Sequence, residues 1–217
     1  WILQRPIAPL QRRDKGEMQI TVVEPAGALG KLFADETTAP AKAKPVLKSV
    51  RSKYGFIPNL MGELAASPSA LESYTTLASL YGQSGLTPTE QQVVLLTVSR
   101  ENNCGYCVAA HSTVSVNTGL DRTILTALRE GQAIDTDPRL EALRQFTVSI
   151  VRNRGLVERS DIDAFLEAGF TKPNILDVMT GVTMKTMSNY INHIAETELD
   201  DAFQAMAWSK PILQHAD

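Results

Sequence analysis

The sequence predicts an all-α protein, and three observations carry that prediction. Apolar residues recur at spacings of three and four through most of the chain beyond about residue 40, as amphipathic helices require. Capping residues open successive segments at Thr87, Asp121, Asp137, Ser160 and Thr171, and glycines stand where helices should stop, at 55, 119, 131, 155 and 169. No Asn-Gly or Asp-Gly pair joins alternating runs, so β-hairpins lack their usual turn signal.

Taken in order, residues 1–40 are rich in Pro, Ala, Gly and Thr and read as a weakly structured N-terminal segment. Met18 opens the more ordinary stretch MQITVVEP, which leaves residues 1–17 as candidate upstream sequence. A single helical domain is expected over 41–217. AKAKPVLKSVRSKYG predicts a helix ended by Gly55, and PSALESYTTLASLYGQ an amphipathic one. In LTPTEQQVVLLTVSREN, Thr87 suits the N-cap, Pro88 the first helical position, and Glu90 completes a capping box. The VVLLTV centre could pass for a strand, but the cap argues for helix. Further helices are expected in DRTILTALREG, DPRLEALRQFTVSIVRNRG, SDIDAFLEAG and TKPNILDVMTGVTMKTMSNYINHIAE.

A faint internal repeat runs at an offset of about fifty residues. Thr97-Val98-Ser99 returns as Thr147-Val148-Ser149, Asn103 as Asn153, and Gly119 as Gly169. Ile124-Leu125 recurs one residue out of step as Ile175-Leu176. The reading is a duplicated helical unit.

Composition sets the limits. The 217 residues are 43% apolar and 21% charged, as in an ordinary globular protein. A net charge of −3 without basic clustering argues against a nucleic-acid or anionic-membrane partner. No run approaches the length of a membrane span, and WILQRPIAPLQRRDKGE lacks a secretory h-region, so a cytoplasmic location is expected.

The chemistry concentrates in ENNCGYCVAAHS, residues 101–112, which holds both cysteines of the chain and one of its three histidines. A disulfide this local closes a tiny loop and would stabilise the fold little, so a structural staple is a poor explanation. Asn102-Asn103 should break the preceding helix and leave Cys104 near the start of a new one. There Cys104, Cys107 and His111 fall within about 60° on one helical face, at about 100° per residue. A helix N-terminus and a nearby imidazolium both favour thiolate. Such a thiolate can attack a peroxide to give a sulfenic acid, which the partner cysteine condenses to a disulfide for an external dithiol to reopen.

Structural zinc is the metal alternative, but it needs four ligands. Beyond Cys104, Cys107 and His111 only Glu101, His193 or His215 could complete the set, and inert packing cysteines are the bland alternative. No metal or cofactor is expected. Glu101, one turn before Cys104, could relay protons. His193 reads as a satisfied helical histidine, His215 as solvated, and Met179, Met184 and Met187 as core filler. The Lys/Arg scatter at 42–53 reads as a solvated face.

ENNCGYCVAAH resembles the signature of the alkylhydroperoxidase AhpD family, within the carboxymuconolactone decarboxylase-like superfamily. YGFIPNLMGELAASPSALESY and NYINHIAETELDDAF are similar to its longer peroxidase-related branch, and the likeness spans about residues 45–205. It implies an AhpD-like, internally duplicated helical fold that oligomerises, and reduction of hydroperoxides by a lipoamide-like dithiol or redox protein. By position, Cys107 matches the attacking thiol, Cys104 the more exposed partner and His111 the relay. The family's relay glutamate falls where this chain has Gln92, and a frequent histidine where it has Tyr106, so Glu101 is the expected stand-in. The long apolar runs VVLLTV and MTGVTMKTM also point to a homo-oligomer. The rivals are a decarboxylase or lactone-processing enzyme on this fold, which would turn over without cysteine, and a redox sensor that oxidises once and does not cycle.

Overall fold

The computed structural model describes residues 33–210, and the expectations for residues 1–32 and for His215 lie outside the described residues. Among the described residues there is no strand. The helices are α1 (Lys44–Tyr54), α2 (Asn59–Ala65), α3 (Pro68–Tyr81), α4 (Pro88–Glu101), α5 (Gly105–Asn117), α6 (Arg122–Glu130), α7 (Pro138–Arg152), α8 (Arg159–Glu167) and α9 (Lys172–Ala195), followed by a 3-10 turn over Asp201–Met206. Within residues 33–40, a turn is organised by the Asp35 carboxylate, and Ala34 and Ala39 are buried. No described helix is long and apolar enough to cross a membrane.

The start signals act as the sequence predicts. Thr87 Oγ1 accepts from the Glu90 amide at 3.2 Å, and Glu90 Oε2 accepts from the Thr87 amide at 2.8 Å. Asp121 and Asp137 cap α6 and α7, and Thr171 forms a capping box with Asn174. The exception is α8, which begins at Arg159 after an uncapped Glu158, one residue ahead of Ser160. The sequence reading missed α2, a seven-residue helix too short to show a period, and the 3-10 turn.

Helix α4 is the centre of the molecule and packs on α5, α6, α7 and α9. Its VVLLTV run is therefore covered within one chain: Val93, Val94, Leu95, Leu96 and Val98 are all buried. That removes this run as an argument for oligomerisation. Of the three methionines read as core filler, Met184 is buried and Met187 half-buried, whereas Met179 is exposed at 37%.

The internal duplication is visible in the elements. Helices α4 and α7 begin at residues 88 and 138, and α6 and α9 at 122 and 172. Asn103 (φ 57°) and Arg154 (φ 55°) turn the chain after α4 and α7, and Gly119 (φ 81°) and Gly169 (φ 89°) turn it before α6 and α9. These left-handed residues let each unit fold back within a few residues.

Candidate active site

The Asn102-Asn103 break ends α4, and the chain re-enters helix α5 with Cys104 as its N-cap residue. Cys107 lies in the first turn of α5, where unsatisfied amides favour an anion. Both thiols are free and only 1% exposed. This corrects the expectation that Cys104 is the more exposed of the pair.

The cover is the C-terminal strap. Arg129 reaches from α6 to the carbonyls of Met206 and Ala207, both at 3.1 Å, and the Trp208 indole donates to the Arg129 carbonyl at 3.0 Å. Gly105 is required beneath it, because a Cβ there would meet the Trp208 carbonyl at 2.8 Å. Tyr106 ties down the other end: its hydroxyl donates to Asp200 Oδ2 at 2.6 Å and accepts from the Leu60 amide at 3.3 Å, and its ring meets Phe203 edge-on. Tyr106 is thus a strut between α5, α2 and the strap. Burial and the Asp200 carboxylate push its phenol well above the ordinary range, so it stays protonated.

Helix α9 supplies the polar wall. Lys185, Ser188, Asn189 and Asn192 are buried at spacings of three and four, on the face that Val178, Gly181 and Val182 make apolar one turn earlier. The Asn192 amide donates to Cys107 Sγ at 3.2 Å and to Cys104 Sγ at 3.6 Å. Ser188 Oγ lies 3.8 Å from Cys107 Sγ. The sequence reading missed this stripe, although a buried helical face carried by Lys, Ser and Asn was its available signal.

The two thiols are unequal. Burial opposes ionisation of Cys107, but hydrogen bonding from Cys104, the Lys185 ammonium, Ser188 and Asn189 outweighs it and holds this thiol well below its ordinary value. Cys104, hydrogen-bonded to Cys107 and also buried, is pushed up and keeps its proton. These directions favour ionisation at Cys107 and a retained proton at Cys104.

His111 joins the cluster through two contacts. Nδ1 lies 3.0 Å from Gln92 Oε1, and Nε2 lies 2.9 Å from Lys185 Nζ. An ammonium can only donate, so Nε2 accepts and the ring proton sits on Nδ1, facing the amide oxygen. Burial, and then Lys185, hold His111 well below its ordinary value, so the imidazole is neutral. For Lys185, burial favours the amine, but the thiols and Tyr74 prevail and raise it above the ordinary lysine value.

Glu101 is not brought into this cluster. It accepts from Arg100 at 2.7 Å and from Arg152 at 2.7 Å. It also lies nine residues beyond Gln92, about 13 Å along the α4 axis. His193 is exposed in the last turn of α9. Among the described residues no three His, Cys, Asp or Glu side chains gather into a metal site.

A cavity of about 140 Å³ ends on this cluster. Cys107, His111 and Lys185 form its floor, aromatic residues Tyr54, Phe56, Tyr74, Tyr106 and Phe203 line its walls, and the exposed Tyr54 and Val114 stand at its mouth. Cys104 does not line it.

Fold and site together define an all-α protein built around a buried dithiol. Residues 68–149 match the carboxymuconolactone decarboxylase family. No curated protein matches the chain. Similar solved structures include a peroxidase-related protein with an alkylhydroperoxidase AhpD core from Ralstonia eutropha, at 22% identity and TM-score 0.72, covering 80% of this chain and 93% of that one. A peroxidase-related protein from Silicibacter gives 20% identity and TM-score 0.67, covering 77% and 90%. The debrominase Bmp8, a cysteine-to-alanine variant in complex with 2,3,4-tribromopyrrole, gives 15% and 0.63, covering 76% and 89%. Residues 68–149 thus match the carboxymuconolactone decarboxylase family, and the described residues take an AhpD-like helical fold.

Proposed function

We propose that this chain is a cofactor-free, thiol-dependent peroxidase. The observation that supports it best is the asymmetry of the dithiol: Cys107, whose sulfur accepts from Asn192 and lies beside Ser188, lines the cavity, while Cys104 does not. The Cys107 thiolate attacks the terminal oxygen of a hydroperoxide, giving Cys107 sulfenic acid and an alcohol. The Cys104 thiol then displaces water from the sulfenic acid, forming the disulfide. An external dithiol, lipoamide-like or carried by a redox protein, reduces that disulfide and is itself oxidised. His111 positions Lys185 in this scheme rather than taking the thiol proton, and Glu101 serves the fold. The protein is read as cytoplasmic, and as a homo-oligomer joined through the outer stripe of α9, where Leu176, Met179, Tyr190 and Ile194 are exposed.

Free-thiol titration before and after one equivalent of cumene hydroperoxide, with mass spectrometry, tests the reading. Loss of both thiols and of two hydrogens, reversed over many turnovers by a dithiol, is the expected result. One oxidation without cycling identifies a sensor, and unchanged thiols reject the peroxidase.

A second reading is favoured by the five aromatic rings that wall the cavity. An aryl halide bound there would be reduced to the arene with release of hydrogen halide, the dithiol again ending as disulfide. Halide release from a bromopyrrole distinguishes the two.

A further inference from the structure

Expelling an alkoxide into a buried, aromatic-walled cavity is costly unless a proton meets it. We propose that Lys185 is a catalytic residue: its ammonium donates the proton to the oxygen that leaves when the Cys107 thiolate cleaves the peroxide bond. The inference rests on the peroxidase reading and assigns its missing acid.

The candidates for this proton are the protic groups lining the cavity: Tyr54, Tyr74, Tyr106, His111 and Lys185. Tyr106 already gives its hydroxyl proton to Asp200 at 2.6 Å. His111 accepts at Nε2 from the ammonium and directs its Nδ1 proton at Gln92, so it has none for the cavity. Tyr54 is exposed at the mouth. Tyr74 stands beside the ammonium, with its ring centroid 5.9 Å from Nζ. Lys185 is 1% exposed, shares the cavity lining with Cys107, and forms no salt bridge to a carboxylate among the described residues. Of its three N–H bonds one is fixed by His111 and a second is engaged by the Tyr74 side chain, which leaves one donor for the cavity.

The step balances. The thiolate sulfur bonds to the terminal oxygen, the O–O bond breaks with its electron pair on the alkoxide oxygen, and that oxygen takes a proton from the ammonium. Sulfenic acid, alcohol and neutral lysine result. When the dithiol later reopens the disulfide, the regenerated Cys107 thiol passes its proton to the Lys185 amine, restoring the thiolate–ammonium pair. In this chain the cavity's positive charge sits on lysine, where a carboxylate in place of Gln92 would put it on the imidazole.

The test separates proton donation from thiolate stabilisation by varying the leaving group. Single-turnover rates of Cys107 are measured in the full chain and in Lys185→Met with cumene hydroperoxide, peracetic acid and iodoacetamide. Alkoxide needs a proton to leave, whereas acetate and iodide do not. The pH is set on the alkylation plateau of each protein, where Cys107 is fully thiolate. The groups facing Lys185 are Cys104, Cys107 and His111 from the α5 segment and Tyr74 from α3, while Gln92 of α4 is uncharged.

Lys185→Met should lower the cumene hydroperoxide rate by about 10²- to 10⁴-fold, and the other two by less than about tenfold. Tyr74→Phe should keep the wild-type ratio of hydroperoxide to peracid rates. Equal losses with all three electrophiles, or no loss with the hydroperoxide, overturn the proposal and leave the peroxidase reading standing. A parent chain that is alkylated but reacts with neither peroxide overturns both. Lys185→Gln, checked by urea unfolding, replaces the Met variant if that one fails to fold.

Discussion

The two helical units, α4–α6 and α7–α9, share their caps and turns yet do different work. In the first unit, the helix after the turn is buried: Tyr106, Cys107, Val108, Ala109, Ser112 and Ser115 of α5 are covered, and His111 reaches back to Gln92 of α4. In the second, α8 buries only Phe165, which stacks between Phe146 and Phe170 at 4.4 Å from each. At the fifty-residue offset of the sequence, the residues opposite Cys104, Cys107 and His111 are Arg154, which is exposed, Val157, and Asp161, whose carboxylate accepts from Ser149 of α7, while the left-handed turns match one residue later, Asn103 with Arg154. The same backbone device thus closes over a dithiol in one unit and over three stacked phenyl rings in the other. Where α5 lies matters more than the turn that starts it, because the strap and α9 take water away from its first turn and supply donors to the sulfur in exchange.

The sharpest way to break this contrast is to exchange the chemistry at matched positions. Cys107→Ser should abolish hydroperoxide consumption, while Val157→Ser, its counterpart in the second unit, should leave the rate within about twofold, as expected for a site remote from the reacting atoms. Cys104→Ser should form a stable sulfenic acid and stop there, detectable by dimedone labelling and mass spectrometry. Loss of the first oxidation in Cys104→Ser with its retention in Cys107→Ser would reverse the assignment.

A smaller effect tests whether α9 sets the thiolate. Asn192→Leu removes the amide donor to both sulfurs while filling a similar volume. A hydrogen bond to a charged group contributes about 1.5–3 kcal/mol, or about one to two pH units, and from about 5 such a rise should lower the neutral-pH peroxide rate by at most about two- to threefold. The sign follows from the lowered Cys107 value: the rate climbs as pH rises through it and is flat above. In the variant that rise should move toward the ordinary thiol value of 9.0, which the pH profile of iodoacetamide alkylation measures. An unmoved profile would mean that Asn192 only packs.

Glu101 separates chemistry from stability. Held by Arg100 and Arg152, its carboxyl stays below the ordinary 4.5, burial opposing and the two guanidiniums prevailing. A lowered carboxylate value means stability that is full above about pH 4.5 and is lost as the pH falls through the folded value. Because the Arg152 side chain is 62% exposed, the pair is discounted for solvent, and Glu101→Gln should cost about 1–2 kcal/mol at pH 7. The cost should shrink in urea melts below pH 4. The peroxide rate should change less than about twofold, and equally in a Gln92→Glu background. Non-additive rates there would return Glu101 to the proton path.

How far the sequence carried follows from which forces act locally. Caps and left-handed turns are properties of four or five neighbouring residues, so Thr87, Asp121, Asp137, Thr171 and the glycines could be read directly. The Cys104–Cys107–His111 spacing was legible for the same reason. Lys185 was not, because it stands 74 residues from the histidine it touches. Nor was the fate of Glu101, whose second arginine is 51 residues away. Tyr106 looked like a lost histidine and is a strut, because its partner Asp200 lies 94 residues on.

The smallest effect tests the symmetry of the units. Thr87 and Asp137 are matched N-caps: Thr87 accepts from Glu90 at 3.2 Å and Asp137 from Leu140 at 2.9 Å. Replacing such a cap by alanine costs about 1 kcal/mol, so Thr87→Ala and Asp137→Ala should each lower stability by about that much. They are not equivalent, however. The Glu90 carboxylate that answers Thr87 also accepts from Arg139 at 3.0 Å, joining the starts of α4 and α7. Removing the Thr87 hydroxyl leaves that ion pair and the reciprocal bond from the Thr87 amide in place, so the loss stays near the single-bond figure. Glu90→Gln instead weakens the pair, and because Arg139 is 43% exposed on its side chain the added cost should be only a few tenths of a kcal/mol. Urea unfolding of the three variants gives the order. If Thr87→Ala costs several times more than Asp137→Ala, the first unit's cap does more than start a helix, and the stability of the units is as unequal as their chemistry.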